Sequence, residues 1–394
     1  MNKLKSIGIS ALAGTLVSLS AAQAGGVSVS GVYELSYTQL DHEKVTGNPL
    51  GVKKNISFGA SGDLSDGGGV TWATNIGWTD GADLSSASIA INMGGIATLT
   101  YDSGGGGTGA NAADNIVPTA WEEVDYGFAT GISDVGAVSA TKGVITLGVK
   151  APVAGTGFSV SYASGMSGGH VSDGATGGAD GHAGVDVVLD FVDYNAAHAG
   201  FRFGVAGQME FPEMTCGRVR KDATVNGGDV SSCDGTGVYK DNPYAGSVFT
   251  KLQLGPIHLG TQATFKNPQS TAASAVMNQR SIVGGVAAIF GDTLSLSYGV
   301  AYDKYRYNDR NRGYSFSATE SNEAAITHSC EASGHCGGPE DHEYITQRYR
   351  GFSAALNLGP VALKGTRNHV KGGEVTSIYE HDVQHSEINL SIAF

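Results

Sequence analysis

Charge is scarce in this chain. Asp, Glu, Lys and Arg make up 15% of its 394 residues, against roughly 25% in an ordinary soluble domain. Long apolar runs are scarce too. Past the N-terminal segment no apolar stretch of about 18 residues occurs, which excludes a bundle of membrane-spanning helices. Proline is rare, with 9 residues, and no amphipathic helical pattern of any length is present. The 60 glycines follow no three-residue period, so a collagen-like chain is excluded as well. What the sequence does contain is alternation: strands that are half apolar and half polar average to this composition.

Met1 to Ala24 has a positive start at Lys3 and Lys5, an apolar stretch from Ile7 to Leu19, and the small-x-small triplet Ala22-Gln23-Ala24. The segment reads as a secretory signal peptide over residues 1–24, with 25–394 as the mature chain. Its removal takes away two lysines and no acid, so the formal net charge of −13 becomes two units more negative. That balance disfavours nucleic acid as a partner, because phosphates would be repelled. The four cysteines agree with export. Cys216 and Cys233 lie in one polar segment, Cys330 and Cys336 in another. Of the three connectivities open to four cysteines, local pairing within each segment is favoured, stiffening surface loops in an oxidising compartment. Zinc held by His328, Cys330, His335 and Cys336 is the alternative, but the spacing fits no standard finger. No cofactor or metal is expected.

The mature chain keeps a period of two from end to end. In a first strand, Val27 to Thr38, Val27, Val29, Tyr33, Leu35 and Tyr37 share one face, and Ser28, Ser30, Glu34, Ser36 and Thr38 the other. In a last strand, His385 to Phe394, Ile388, Leu390, Ile392 and Phe394 oppose His385, Glu387, Asn389 and Ser391. Val185, Val187, Leu189 and Phe191 face away from Asp186 and Asp190, and Leu294 to Tyr302 repeats the pattern against Ser295, Ser297 and Asp303.

Connections alternate short and long. Short ones fall near Gly62–Gly68, Met93–Gly95, Pro152–Thr156, Asn195–His198, Gly255–Pro256, Gly291–Thr293 and Gly359–Pro360. Long ones fall near Gln39–Gly51, Asp102–Gly143, Gly165–Ala183, Phe211–Pro243, Asn267–Asn278, Asn308–Glu343 and Lys371–Gln384, with a briefer one at Thr79–Ala82. This schedule predicts about sixteen antiparallel strands, with both termini on the short-turn side. In hydrocarbon every backbone donor and acceptor needs an internal partner, so a sheet spans only if it closes. At about sixteen strands the lumen is too wide for side chains to fill, which leaves an aqueous channel. A soluble β-sandwich would need charges on its outer face, and here the polar face is mostly Ser, Thr, Gly and Asn. The predicted fold class is therefore an all-β transmembrane barrel with short periplasmic turns and long extracellular loops. Parity slips along Tyr344–Leu358, where Arg348 and Arg350 share a face with Phe352 and Leu356; a bulge or an extension beyond the membrane would account for it.

The signal peptide, the opening VSVSGVYELSY, the strand schedule and the ending EINLSIAF together resemble the bacterial outer-membrane porins, especially the alphaproteobacterial type. The resemblance covers the whole mature chain and is architectural, not catalytic. It implies a homotrimer of water-filled barrels in the outer membrane of a Gram-negative bacterium, surrounded by outer-membrane lipid and lipopolysaccharide. It also implies that Phe394 ends a strand read by the outer-membrane assembly machinery. In such proteins the third long loop folds inward and narrows the pore. Here that loop is Asp102–Gly143, made acidic by Asp114, Glu122, Glu123 and Asp125, with Trp121, Tyr126 and Phe128 as wall anchors. Basic residues are expected on the opposing wall. Parity turns Lys53, Lys150, Lys364, Arg202 and Lys251 to the polar face. Lys150, Arg202 and Lys251 sit near short turns, so Lys53 and Lys364 are the candidates for the constriction. Acids facing bases would set a transverse field, and the excess of acid would favour cations weakly.

The functional expectation is passive diffusion of ions and small hydrophilic solutes, with no residue acting as acid, base or nucleophile. A solute-specific channel of the same fold and a surface adhesin or structural barrel are the rivals. Two motifs suggest chemistry. Gly104–Gly109 satisfies G-x-G-x-x-G but lacks the helix and parallel sheet that a dinucleotide site needs. Gly165–Gly169 satisfies G-x-S-x-G and precedes His170, yet it lies in a Gly/Ser/Asp loop and not at a strand–turn–helix elbow. The acidic pairs Glu340-Asp341 and Glu380/Asp382 fall in outer loops; they could bridge divalent cations to anionic lipid head groups, but solvated loop charge is the better account.

Overall fold

The computed structural model describes residues 26–40, 48–64, 69–79, 83–103, 113, 116–126, 128, 143–150, 155–163, 183–193, 199–211, 242–269, 276–307, 345–371 and 383–394. The leader segment, all four cysteines, Asp114 and both glycine-rich motifs lie outside them.

The alternation folds as one closed sheet. Its first quarter is β1 (Val27–Leu40), β2 (Leu50–Asp63), β3 (Val70–Thr79) and β4 (Asp83–Met93). Then come β5 (Ala97–Asp102), β6 (Val144–Lys150), β7 (Thr156–Ala163) and β8 (Ala183–Asp193). The second half holds β9 (Ala199–Phe211), β10 (Tyr244–Leu254), β11 (Ile257–Asn267) and β12 (Val276–Phe290). It ends with β13 (Leu294–Tyr307), β14 (Ile345–Leu358), β15 (Val361–Lys371) and β16 (Val383–Ala393). Each strand pairs antiparallel with its chain neighbours, and β16 pairs with β1 from Val32↔Ala393 to Leu40↔His385. Phe394 completes the seam: its carbonyl accepts from Gly31 N at 2.8 Å, and its own N donates to Gly31 O at 3.0 Å. No sheet edge is left open.

The tight turns form where glycine reaches a positive φ. Gly255 (φ 58°) precedes Pro256 between β10 and β11, and Gly359 (φ 70°) precedes Pro360 between β14 and β15. Glycine takes this left-handed conformation without a Cβ penalty, and proline then presets the next residue.

Period two sorts the side chains. Leu35, Val248, Val300 and Ile388 point outward and stay 42–59% exposed. That cost is avoided only if the outer surface meets lipid. Tyr37, Tyr101, Tyr162, Tyr244 and Tyr302 stand outward at the ends bearing the longer connections, and Phe158, Phe191, Phe201 and Phe290 at the tight-turn ends. Such bands mark the two interfaces of a membrane barrel, with the amphipathic phenol at one of them. The slip of parity in β14 involves no bulge. Its register with β13 and β15 is unbroken, so Arg348 and Arg350 share the outward face with Phe352 because the strand runs on past the apolar belt.

Candidate functional site

Between β5 and β6, residues 113, 116–126 and 128 lie along the inner wall of the barrel. Ala113 and Ile116 are buried with Val188, Ala206, Ala245 and Phe249 of β8–β10. Val117, Val124 and Phe128 are buried with Val283, Ala301, Tyr349, Val370 and Val383 of β12–β16.

The wall is shaped to receive this segment. On four successive strands the lumen-facing residues that pair directly are all glycine: Gly260 with Gly285, Gly285 with Gly299, and Gly299 with Gly351. A Cβ on Gly285 would stand 2.6 Å from Val117 Cγ1, and one on Gly299 would stand 3.3 Å from Val124 Cβ; at Gly260 it would run into Pro118. An isolated glycine within a strand often marks close backbone approach, and four in a row form a track.

Polar side chains then fix the segment's backbone. Ser297 and Ser353, 2.7 Å apart, accept from Ala120 N at 2.8 Å and Trp121 N at 3.2 Å. Asn368 Nδ2 donates to the carbonyls of Glu123, at 2.8 Å, and Tyr126, at 3.0 Å. Inside the segment Thr119 Oγ1 donates to Glu122 O at 2.7 Å. Irregular backbone inside a barrel needs these partners, since orphaned amides are costly. The expected aromatic anchors all touch the wall. Lys364 Nζ lies 5.9 Å from the Trp121 ring centroid, Tyr126 meets His385 edge-on at 5.5 Å, and Phe128 packs on Tyr349 and His385.

The charges gather on one side. Lys364 Nζ reaches Glu34 Oε1 at 3.3 Å, and Glu34 pairs across the strands with Lys53. Burial pushes the Glu122 carboxyl above its ordinary range; the charges of Glu387 and Glu34 add to this, while Lys53 and Lys364 oppose it. Burial and the Glu387 charge likewise raise the Tyr126 phenol, which keeps its proton and hydrogen-bonds Glu387. Lys53 and Lys364 therefore face the lumen as parity requires. Lys364, however, stands beside the acidic segment rather than across from it. The reason is the track: it lays the segment against β11–β16, which brings Glu122 to the wall carrying Lys364. Glu123 and Asp125 lie on the same stretch, while Arg202 is held by Asp190 at 2.7 Å and pairs across the strands with Lys251 towards the turn end.

Sequence reasoning missed Glu34 and Glu387 as members of this cluster, although it put both on the polar face. It also missed Asn368 and the glycine track. The signal for the track was legible: one lumen-parity glycine in each of four consecutive strands.

No family model matches the chain, and no curated protein matches it. Solved structures do. OmpT of Vibrio cholerae, in trimer form, superposes with a TM-score of 0.55 at 8% identity, covering 94% of this chain and 100% of its own. Salmonella typhi OmpF in complex with daunomycin gives 0.56 at 10% identity, with 94% and 98% covered. An anion-selective porin from Comamonas acidovorans gives 0.50 at 11%, with 94% and 99% covered. At such identities the likeness is one of fold. The chain has a porin-like fold, a β-barrel closed by sixteen antiparallel strands.

Proposed function

We propose that the protein is a general-diffusion porin, passing ions and small hydrophilic solutes passively across the outer membrane with a weak preference for cations. The carrying observation is a closed sixteen-strand wall with an apolar outer face and a polar inner one, along part of which the 116–128 segment is laid. Inner positions on β1–β7 hold mostly Ser, Thr, Asn and Gly, suited to a water-lined path. The narrower likeness to alphaproteobacterial porins rests on the sequence resemblance alone: the signal peptide, the opening strand, the strand schedule and the ending EINLSIAF.

Cation preference is argued from the chain's own lumen. Glu34, Asp102, Asp186, Asp190, Glu210, Asp303 and Glu387 point inward together with Glu122 of the segment, against Lys53, Lys150, Arg202, Lys251, Lys266 and Lys364. A carboxylate excess concentrates cations. The fold does not decide the sign, since one structural neighbour is anion-selective. The constriction is assigned to Glu122, Glu123 and Asp125 with Lys53 and Lys364; Asp114 stays a sequence-based candidate. A homotrimer fits the trimer form of one neighbour. Phe394, locked to Gly31 at the seam, is proposed as the residue read during assembly. Catalysis forms no part of this reading; a barrel hydrolase using the G-x-S-x-G serine would instead show lipase activity that Ser167→Ala abolishes.

The test is single-channel conductance in a planar bilayer with a salt gradient. Steady conductance with a cation-signed reversal potential is expected. Block by one sugar, phosphate or dicarboxylate at saturable concentrations would favour a solute-specific channel, and no steady conductance would favour an adhesin.

A further inference from the structure

The inward charges are sorted along the barrel axis. Towards the loop ends of the strands stand Asp102, Asp186, Glu210 and Asp303, and Lys266 is the one lysine or arginine among the described inward positions there. The middle holds Glu34, Glu387 and Glu122 with Lys53 and Lys364. Towards the tight turns the sign changes. Lys150 ends β6, and Arg202 and Lys251 stand near the turn ends of β9 and β10, against Asp63 and Asp190.

The bases at the turn end are also the less compensated. Asp190 is taken up by Arg202, whose Nε and Nη2 both donate to it at 2.7–3.2 Å. Lys251 pairs across the strands with Arg202, so it faces a second cation, and among the described residues neither Lys150 nor Lys251 forms an ion pair. Asp63 stands apart from them on β2, while the three bases share the wall from β6 to β10. The 116–128 segment lies beside the change of sign: Pro118 covers Gly260, which pairs directly with Lys251.

We propose that the channel rectifies, carrying more current when the loop side is positive than when the turn side is. A low-dielectric wall focuses the field of fixed charges into the lumen, so each mouth gathers its own counter-ion. With the loop side positive, cations enter through the acidic mouth and anions through the basic one, and both accumulate where the fixed charge changes sign. With the polarity reversed, both are drawn out by the mouth they favour and are replaced poorly from the other. Rectification rests on the channel reading and adds a direction to it; the order of the charges does not depend on conduction.

The test is the current–voltage curve of single channels of the full chain in symmetric KCl. Thr293→Cys, exposed in the turn between β12 and β13, carries biotin, and streptavidin added to one chamber marks the turn side. A current ratio of roughly 1.5 in favour of loop-positive voltage is expected in ~0.1 M KCl, falling to about 1 in ~1 M KCl as the Debye length shrinks from ~10 to ~3 Å. Lys251→Glu is expected to level the two branches. Lys150→Glu, at an exposed position that tolerates the change if Lys251→Glu fails to fold, is expected to lower the ratio. Equal branches at low salt, the opposite polarity, a ratio that survives high salt, or a ratio unchanged in the variants overturns rectification. Equal branches in a conducting chain leave the channel reading standing, whereas a chain that conducts in neither salt sinks both.

Discussion

Strands β11–β14 present two surfaces made from alternate residues of the same sequence. Inward they offer Gly260, Gly285, Gly299 and Gly351, with Ser297 and Ser353 alongside, a track fitted to peptide. Outward they offer Ile282, Tyr298, Val300 and Tyr302 below Arg280, Lys304, Arg348 and Arg350, an apolar surface under a basic rim. Neighbouring residues about 3.3 Å apart along the chain thus serve different solvents. The comparison teaches that parity assigns a residue its medium, and that the side chain's size and charge then assign its partner.

The inner surface is the more fragile. Gly285→Leu would drive a side chain into Val117, and the segment has to leave its track. We expect single-channel conductance to change by roughly twofold or more, since the segment occupies the lumen. The same change at Gly148, on the inner face of β6 where a Cβ would meet nothing closer than Thr98 O at 3.9 Å, is expected to leave conductance near that of the parent. Equal effects at both sites would mean that the glycine row is incidental.

A smaller effect follows from the serines. Ser353→Ala removes the acceptor for Trp121 N and a partner of Thr119, which costs about 1–3 kcal/mol of unfolding free energy in a urea titration of the refolded barrel. A loss below a few tenths of that range would show that water replaces the hydroxyl.

The smallest effect is electrostatic. Burial, and then the Glu387 charge, raise the Glu122 carboxyl, so Glu122 takes up its proton before an ordinary carboxylate as pH falls. Its negative charge then leaves the lumen, and cation preference is expected to weaken in mildly acidic buffer. The linkage has the corresponding sign. The folded state holds this proton more tightly than the unfolded one, so Glu122 opposes stability at neutral pH and its penalty fades as pH drops through the raised value. Glu122→Gln is expected to remove that share of the pH dependence in reversal potential; an unchanged profile would show that Glu122 does not set it.

The strand schedule was legible because tertiary structure hardly overrides it. Among the described residues, the turns at 94–96, 255–256, 291–293 and 359–360 were each anticipated to within a residue, Gly255–Pro256 and Gly359–Pro360 on their own glycine and proline. The outward set Leu294 to Tyr302 and the inward set Ser297 and Asp303 followed from period two alone. The constriction was only half legible. Parity turned Lys53 and Lys364 inward, but which charges meet depends on where the segment lies, and that depends on packing between residues far apart in the chain. Lys364 and Glu34 touch across β16 only once the barrel closes. The glycine track was open to view, yet a glycine in a strand signals close approach without naming what approaches.

The central claim, that one closed wall separates water inside from lipid outside, is tested most directly by three single-cysteine variants on β2. Lys53→Cys and Ser57→Cys face the lumen, while Phe58→Cys faces outward at a position now 41% exposed. A charged, membrane-impermeant thiol reagent added during current recording is expected to change conductance at Cys-substituted Lys53 and Ser57, and to leave the Phe58 variant and the parent chain unaffected. Reaction at adjacent Ser57 and Phe58 alike, or at neither lumen position, would contradict it.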